Sequence, residues 1–402
     1  MKCLFIHFSI DSTVYYSHAI AGLSAIAKSI NYEVDLLIVK DRNYEKYVKS
    51  VKEKQPDIVA FSLTSLYWEA GKILAEKIKY KSSIPLWVGG NHINALPESF
   101  YKSPFDAACY GDGEEEFKNA LLSLQSGKVY HSPSWLAKGV ASKIHLSIIN
   151  NLNDYPLPNI QLFNSRVILN YASLYFSKGC IFSCNYCMSR NGGYANRIRW
   201  KTAERAIDEC IQLVDYCNPP ELYFDDDTFV KNVSWVTSFL RVYSKKVKVP
   251  FYCNSRPELL SDNVCELLSN NCCRGVGIGI ESGSESIRKN ILGRNVSNKQ
   301  IRDAFTRCKF HGLETWSFNM INIPNETIED LKLTIDLNSI INPDYVRVSI
   351  FTPFPGSPMY KEKNYYSSYF LKDFTRIKSL QKRMLIEGWL EELETEGKLW
   401  ND

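Results

Sequence analysis

Three cysteines, Cys180, Cys184 and Cys187, fall within the stretch GCIFSCNYC. Thiolates are ligands for soft or borderline metals, chiefly zinc and iron–sulfur clusters. A closed zinc site usually completes its tetrahedron with a second, distant C-x-x-C pair. The chain has no second C-x-x-C. Cys272 and Cys273 are adjacent, a poor chelate at the expected end of a helix. Cys210, Cys217, Cys253, Cys265 and Cys308 are scattered over expected helices and a strand, and free cysteines are commonly buried as small apolar residues. A four-iron cube bound by three thiolates leaves one iron open to an exogenous ligand. The chemistry to expect is that of an open iron–sulfur site.

Such a loop needs a rigid frame. From Val167 onward, strand and helix signals alternate for nearly two hundred residues. The strand candidates are Val167–Ser177, Glu221–Phe224, Phe251–Asn254, Gly275–Ile280, Ser317–Ile323 and Tyr345–Phe351. Helical periodicity falls between them, near Ala203–Tyr216, Val233–Ser244, Asp262–Asn270, Asn298–His311 and Thr327–Ile340. Parallel strand–helix units of this kind close, wholly or partly, into a TIM-like barrel. Chemistry then sits on the loops after the strands. The three cysteines follow the first strand, where a site belongs.

The first third of the chain reads as a different sheet. Lys2–Phe8, Glu33–Val39, Asp57–Thr64, Pro85–Gly90 and Asp106–Tyr110 are strand candidates separated by helical stretches, notably Tyr67–Tyr80 and Glu114–Leu124. This predicts an α/β, doubly wound, Rossmann-like parallel sheet of about five strands, with ligands at the carboxyl ends. Small and polar residues cluster there: Ser62, Thr64 and Ser65; Gly89, Gly90, Asn91 and His92; Gly111, Asp112, Gly113 and Glu114. Such loops let a backbone approach a ligand closely, or are simply turns and helix starts. His18, on an expected helix beside Tyr15, Tyr16 and Ile20, reads as a packed histidine.

Composition sets the outer limits. The 402 residues are 45% hydrophobic and 23% charged, with a formal net charge of +4. That is the balance of a globular chain able to bury its core without staples. The charge is too mild, and the 48 Lys and Arg too dispersed, to point to nucleic acid or an anionic membrane. The N-terminal apolar run ends at Asp11 without a small-residue cleavage site, so it reads as a strand and not a signal peptide. No apolar run approaches the roughly 18 residues of a membrane span. A cytoplasmic location is the expectation, and twelve cysteines there are no disulfide framework. Four segments follow: a sheet domain over residues 1–127, a Pro/Ser/Asn-rich linker over 128–166, a barrel over 167–360 and a helical, amphipathic tail over 361–402.

The spacing C-x-x-x-C-x-x-C, with Tyr186 before the last cysteine, resembles the signature of the radical SAM enzymes. The resemblance continues through ELYFDDDTF, CNSRPELL, GIGIESGSES, FNMINIPNETIED and FTPFPGSPMY. It implies a 4Fe–4S cluster on Cys180, Cys184 and Cys187. The amino and carboxylate groups of S-adenosylmethionine (SAM) chelate the fourth iron, and cleavage gives a 5′-deoxyadenosyl radical. It further implies SAM contacts from Tyr186, Asp226, Arg256, Glu281, Ser282 and Asn322. Asp227 has the plainer reading of a helix cap, and Arg256 that of a partner for the run Asp225–Asp227. Asn322 and Asn325 stand where relatives have glycine, and asparagine tolerates the left-handed backbone such a turn needs.

In the first third, SLTS, GGNH and GDGE in this order resemble the cobalamin-binding domain that precedes the barrel in many radical SAM enzymes. The resemblance implies cobalamin contacts from Ser62, Thr64, Ser65, Gly89, Gly90, Asn91, Gly111, Gly113 and Glu114. The D-x-H-x-x-G motif whose histidine coordinates cobalt elsewhere is missing, since Asp11 and His18 lack its spacing. Radical SAM relatives often lack it too, so cobalamin without a histidine ligand is expected. The function implied is cobalamin-dependent methyl transfer to an unactivated carbon of a small molecule, with an electron donor such as flavodoxin or ferredoxin. Ring rearrangement, cyclisation or epimerisation is the alternative. A methylthiotransferase would need three further N-terminal cysteines, where only Cys3 and Cys109 occur.

Overall fold

A computed structural model of the chain describes residues 1–10, 13–139, 143–188, 197–361 and 379–399. Asp11 and tail residues 362–378 lie outside them. The chain divides into two compact units: Met1–Ala172 with Arg199–Asn218, and Ser173–Arg190 with Ala195–Ile198 and Pro219–Asp402.

The first unit runs β1 (Lys2–Phe8), α1 (His18–Ser29), β2 (Glu33–Val39), α2 (Tyr44–Lys54), β3 (Ile58–Ser62), α3 (Trp68–Lys81), β4 (Leu86–Gly89), α4 (Asn91–Ala95), β5 (Ala107–Cys109), α5 (Gly113–Gln125), β6 (Trp135–Ala137) and α6 (Ser165–Leu169). Its sheet has the order β2-β1-β3-β4-β5-β6. The first four pairings are parallel and β6 joins β5 antiparallel. Strand order reverses at β1 and β3, the switch that opens a ligand crevice in doubly wound sheets. Leu4, Ile6, Phe8, Val59, Phe61 and Val88 build the core under the helices.

The segment 128–166, expected as a linker, contributes β6 and so covers the edge of β5. It also lays Ser147 against Gly111. An exposed edge strand leaves its N–H and C=O groups unpaired, which the added strand corrects. The strand expected over Val167–Ser177 is not continuous. Asn164 caps Arg166 N at 2.9 Å and starts α6, because an Asn side chain satisfies an otherwise unpaired N–H of a first helical turn. Extended structure resumes only in β7 (Ser173–Leu174) and β8 (Ser177–Lys178).

β9 (Arg199–Trp200) and α7 (Ala203–Cys217) return to the first unit. The second unit continues with β10 (Leu222–Phe224), α8 (Val233–Lys246), β11 (Phe251–Ser255), α9 (Asp262–Ser269), β12 (Cys273–Glu281), α10 (Asn298–Phe310), β13 (Glu314–Ile321), α11 (Ile328–Ile341), β14 (Tyr345–Ile350) and α12 (Leu380–Thr395). Its sheet is parallel throughout, in the order β14-β13-β12-β11-β10-β7. This is a partial six-stranded TIM-like barrel. Local chemistry starts its helices: Asn232 caps α8, Ser261 caps α9, and Ser297 with Gln300 and Thr327 with Asp330 form capping boxes on α10 and α11. Asp227 is therefore not the cap of α8.

Alternation along the strands decides which side chains line the barrel. Phe224 and Phe251 stack at 4.4 Å and both meet Tyr243 of α8, so they face the helices. Tyr223, Tyr252, Asn254 and Arg256 face the other way. Tyr223 stacks on Tyr252 at 5.4 Å, and Tyr252 on Trp316 at 4.9 Å. The intervening strand β12 offers Gly275 there, where a Cβ would lie 2.9 Å from the Tyr252 ring. A glycine is thus required for the aromatic floor to be continuous. On the outer side, Ile386, Trp389 and Leu393 of α12 pack on Val346, Val348 and Ile350 of β14, and Val346 N bonds Lys398 O at 2.7 Å. The described part of the tail is a packing helix that covers the last strand.

Candidate active site

The cysteine loop is anchored from below. Asp226, just past β10, is 2% exposed. Its carboxylate accepts from Phe176 N at 3.1 Å and from the Ser177 hydroxyl. Lys231 donates to Ser177 Oγ at 2.8 Å and to Gly179 O at 2.9 Å. Burial pushes the Asp226 carboxyl up, against the opposing pull of Ser177 and Lys231. Gly179 has φ 95°, and a Cβ there would lie 2.4 Å from Arg197 O. The backbone thus enters Cys180 in a conformation only glycine takes readily. Asp226, expected as a SAM contact, serves here to hold the strand that leads into the loop. Lys231 carried no motif, and only the folded chain brings it under Gly179.

Asn185, between the last two cysteines, fixes the loop's far side. Its N–H and side-chain amide reach Leu292 O and Ile291 O, both at 2.9 Å. Ile287–Ile291 forms a π-helical turn, a feature frequent at functional sites. Arg256 leaves β11 and donates to Cys184 Sγ at 3.2 Å. Its guanidinium lies 3.7 Å over the Phe182 ring and pairs with Glu258 at 2.5 Å. Glu258, two residues on, is its carboxylate partner in place of the Asp225–Asp227 run. The guanidinium thus fixes the position of a motif sulfur from the β11 side.

At the end of β12, Glu281 adopts φ 70°, uncommon for a residue with a side chain. Arg294 holds it there, with Nη1 2.6 Å from Glu281 Oε1 and Nη2 2.8 Å from Gly279 O. Tyr186, on the cysteine loop, donates to the same carboxylate oxygen at 3.1 Å. Burial, then the Glu281 charge, push the Tyr186 hydroxyl well up, so it stays a donor. Two of the expected SAM residues, Tyr186 and Glu281, are therefore joined, and the arginine that joins them was not apparent in the sequence. Its only signal is an arginine thirteen residues after the G-I-E-S-G glutamate. A Cβ on Gly279 would lie 2.6 Å from Glu281 Oε1 and 3.1 Å from Arg294 Nη1. Gly279→Ala is accordingly expected to cost about 1–3 kcal/mol by overpacking, read as a lower urea midpoint. An unchanged midpoint would show that the network yields freely.

Ser282 is fully buried. Its hydroxyl meets Thr334 Oγ1 at 3.4 Å and Ser284 N at 3.2 Å, so its side chain shapes the turn against α11. After β13, Asn322 and Asn325 have φ 60° and 64°. The turn survives the loss of both glycines, and Asn322 N donates to Glu326 at 2.8 Å. Burial raises the Glu326 carboxyl to about 6, against the opposing pull of Lys382.

In the first unit, Ser62, Ser65, Gly89, Gly90, Gly111, Gly113 and Glu114 are partly buried at the carboxyl ends of β3, β4 and β5, with Thr64 and Asn91 exposed. Gly90 and Gly111 have φ 102° and 113°. A Cβ would meet Leu63 O at 2.7 Å and Ser147 O at 2.3 Å respectively. These two glycines are thus demanded by neighbouring backbone, whatever ligand lies beyond. Asp112 accepts from Ile149 N at 3.0 Å and from buried Arg199. His18 opens α1 edge-on to Tyr16 at 4.7 Å, a packed histidine, and burial pushes its pKa down.

The radical SAM superfamily is matched over residues 174–337 and the B12 binding domain over residues 12–121. The chain carries a radical SAM domain with a B12-binding domain ahead of it, and is a radical SAM enzyme. It is 26% identical over 356 residues to an uncharacterized methyltransferase of Pyrococcus horikoshii, covering 85% of this chain and 77% of that one. It is 21% identical over 370 residues to the anaerobic magnesium-protoporphyrin IX monomethyl ester cyclase of Rubrivivax gelatinosus, covering 85% and 65%. Its fold is similar to that of the radical SAM methyltransferase TsrM from Kitasatospora setae, with a TM-score of 0.71 at 14% identity over 89% of this chain and 73% of that one.

Its cofactors are a 4Fe–4S cluster, SAM and cobalamin. The residues present fit them. Among the described residues, no three His, Cys, Asp or Glu side chains are arranged to hold one metal ion. A cube bound by the protein through three thiolates matches the donor set of Cys180, Cys184 and Cys187 on one loop. Cys184 Sγ already receives a cationic donor. The three loops of the first unit present small residues on one sheet edge. No described helix is long and apolar enough to cross a membrane.

Proposed function

We propose that this chain is a cobalamin-dependent methyltransferase acting on an unactivated carbon of a small molecule. The single observation that carries the reading is the pairing of a B12-binding unit and a radical SAM barrel in one chain, supported by the likeness to methyltransferases. When bound, the cluster supplies the electron that cleaves SAM, and cobalamin supplies a methyl carrier. The chain's own part is placement. Cys180, Cys184 and Cys187 hold three irons. Arg256 donates a hydrogen bond to Cys184, and Glu281, pinned by Tyr186 and Arg294, offers a fixed carboxylate toward the SAM amino or ribose groups. Reduction comes from a donor of the flavodoxin or ferredoxin class.

The test is anaerobic turnover with SAM deuterated in its methyl group, on candidate substrates drawn from neighbouring genes. Products heavier by the labelled methyl, together with S-adenosylhomocysteine and 5′-deoxyadenosine, are expected. A product formed with 5′-deoxyadenosine but no label would instead establish the second reading. That reading, a rearrangement or cyclisation without methyl transfer, is favoured by the likeness to the cyclase.

A further inference from the structure

Between the loops after β3 and β5 lies the five-residue helix α4, following Gly89-Gly90. Two of its side chains point in opposite directions along the sheet edge. His92, 5% exposed, meets Ser65 Oγ through Nδ1 at 3.0 Å. Its ring stacks on Trp68 at 4.2 Å and 19°. Asn94 takes both backbone groups of Gly111: Gly111 N donates to its Oδ1 at 2.8 Å, and its Nδ2 donates to Gly111 O at 3.4 Å. The main chain repeats the tie on one side, with Leu63 N to Gly89 O at 2.9 Å and His92 N to Leu63 O at 3.1 Å.

We propose that His92 and Asn94 are positioning residues that clasp the three loops into one preassembled cobalamin cradle before the cofactor arrives. The inference rests on the B12-binding reading of this unit and adds to it residues that make no contact with cofactor. Nε2 of His92 is buried without a partner among the described residues, so the ring is sealed from solvent and from any ligand above it. Its available work is done through Ser65 and Trp68. Burial lowers the ring's pKa to about 4, so it is neutral at pH 7 and Nδ1 and Ser65 share one hydrogen bond. Whichever way that proton lies, the Ser65 hydroxyl loses its rotational freedom. Binding to loops already ordered avoids the entropy of ordering them, the gain called preorganisation.

The experiment is equilibrium binding of hydroxocobalamin to the purified full chain, read by quenching of its tryptophan fluorescence, with hydrogen exchange of the cofactor-free protein as the second readout. His92→Ala and Asn94→Ala are each expected to weaken binding about tenfold. Each should also raise exchange at residues 63–66 or 111–113 respectively, with iron content unchanged. Asn94→Asp keeps the acceptor for Gly111 N and should recover part of the affinity. If the variants bind as tightly as the unaltered chain, or weaken binding with no change in loop exchange, the clasp is wrong while the cofactor reading stands. If the unaltered chain itself binds no hydroxocobalamin, the B12 reading falls and the clasp with it. If His92→Ala is too unstable to purify, His92→Phe, which keeps a ring against Trp68 and removes the bond to Ser65, replaces it and should cost the same affinity; Asn94→Leu replaces an unstable Asn94→Ala.

Discussion

Cys184→Ala should abolish 5′-deoxyadenosine formation and leave a protein with little bound iron. Cys184 is the most buried of the three motif cysteines, at 8% exposure, and takes the Arg256 hydrogen bond. Two remaining thiolates cannot hold a cube that also needs an open iron. The loop's frame should persist, because Asp226, Lys231 and Asn185 hold it through backbone groups and not through the cysteines. Hydroxocobalamin binding in the first unit should therefore be unchanged, which separates a lost cluster from a lost fold. Cys217→Ser is the matched control, since among the described residues that thiol bonds Leu213 O within its own helix. It should keep both iron and SAM cleavage. Iron and sulfide analysis with a single-turnover deoxyadenosine assay reads all of this. Deoxyadenosine from Cys184→Ala above the level without reductant would place the cluster elsewhere.

Arg294→Met should be the most damaging single change outside the cysteines. Arg294 is 3% exposed and closes a buried pair with Glu281, reinforced by Tyr186. Removing one partner of a buried pair leaves the other charge uncompensated, typically about 3–5 kcal/mol. Glu281 also holds a left-handed backbone angle, which costs of order 1–3 kcal/mol and persists only when neighbours enforce it. Without Arg294 the carboxylate should swing away, and SAM cleavage should fall at least a hundredfold. The stability loss and the activity loss come apart in the double variant Arg294→Met with Glu281→Gln. Neutralising the orphaned carboxylate should restore most of the denaturation midpoint and none of the SAM cleavage. Recovery of cleavage in the double variant would mean that neither side chain positions SAM.

Much of this protein was legible from its residues because the signals are local. The cysteine spacing depends only on adjacent chain, and so does the strand–helix alternation, which follows from period-2 and period-3.6 burial. Asn at 322 and 325 could be read as turn formers because αL tolerance is a property of the residue itself. The misreadings were where short-range preference met a competing cap. Val167–Ser177 is apolar enough for a strand, yet the Asn164 cap turns its first three residues into helix.

What the sequence determined by itself was the motif, three cysteines at radical SAM spacing, and two α/β units in order. Only the tertiary structure decided how that motif is held. Arg294 meets Glu281 and Tyr186 across thirteen and 108 residues of chain. Lys231 meets Gly179 across 52, and Asn94 meets Gly111 across 17. Ser282, part of the motif, turns inward to Thr334, 52 residues away. Hydrogen bonds and ion pairs act over about 3 Å of space with no regard to chain separation. Their partners therefore exist only once the parallel strands have brought the loop ends together.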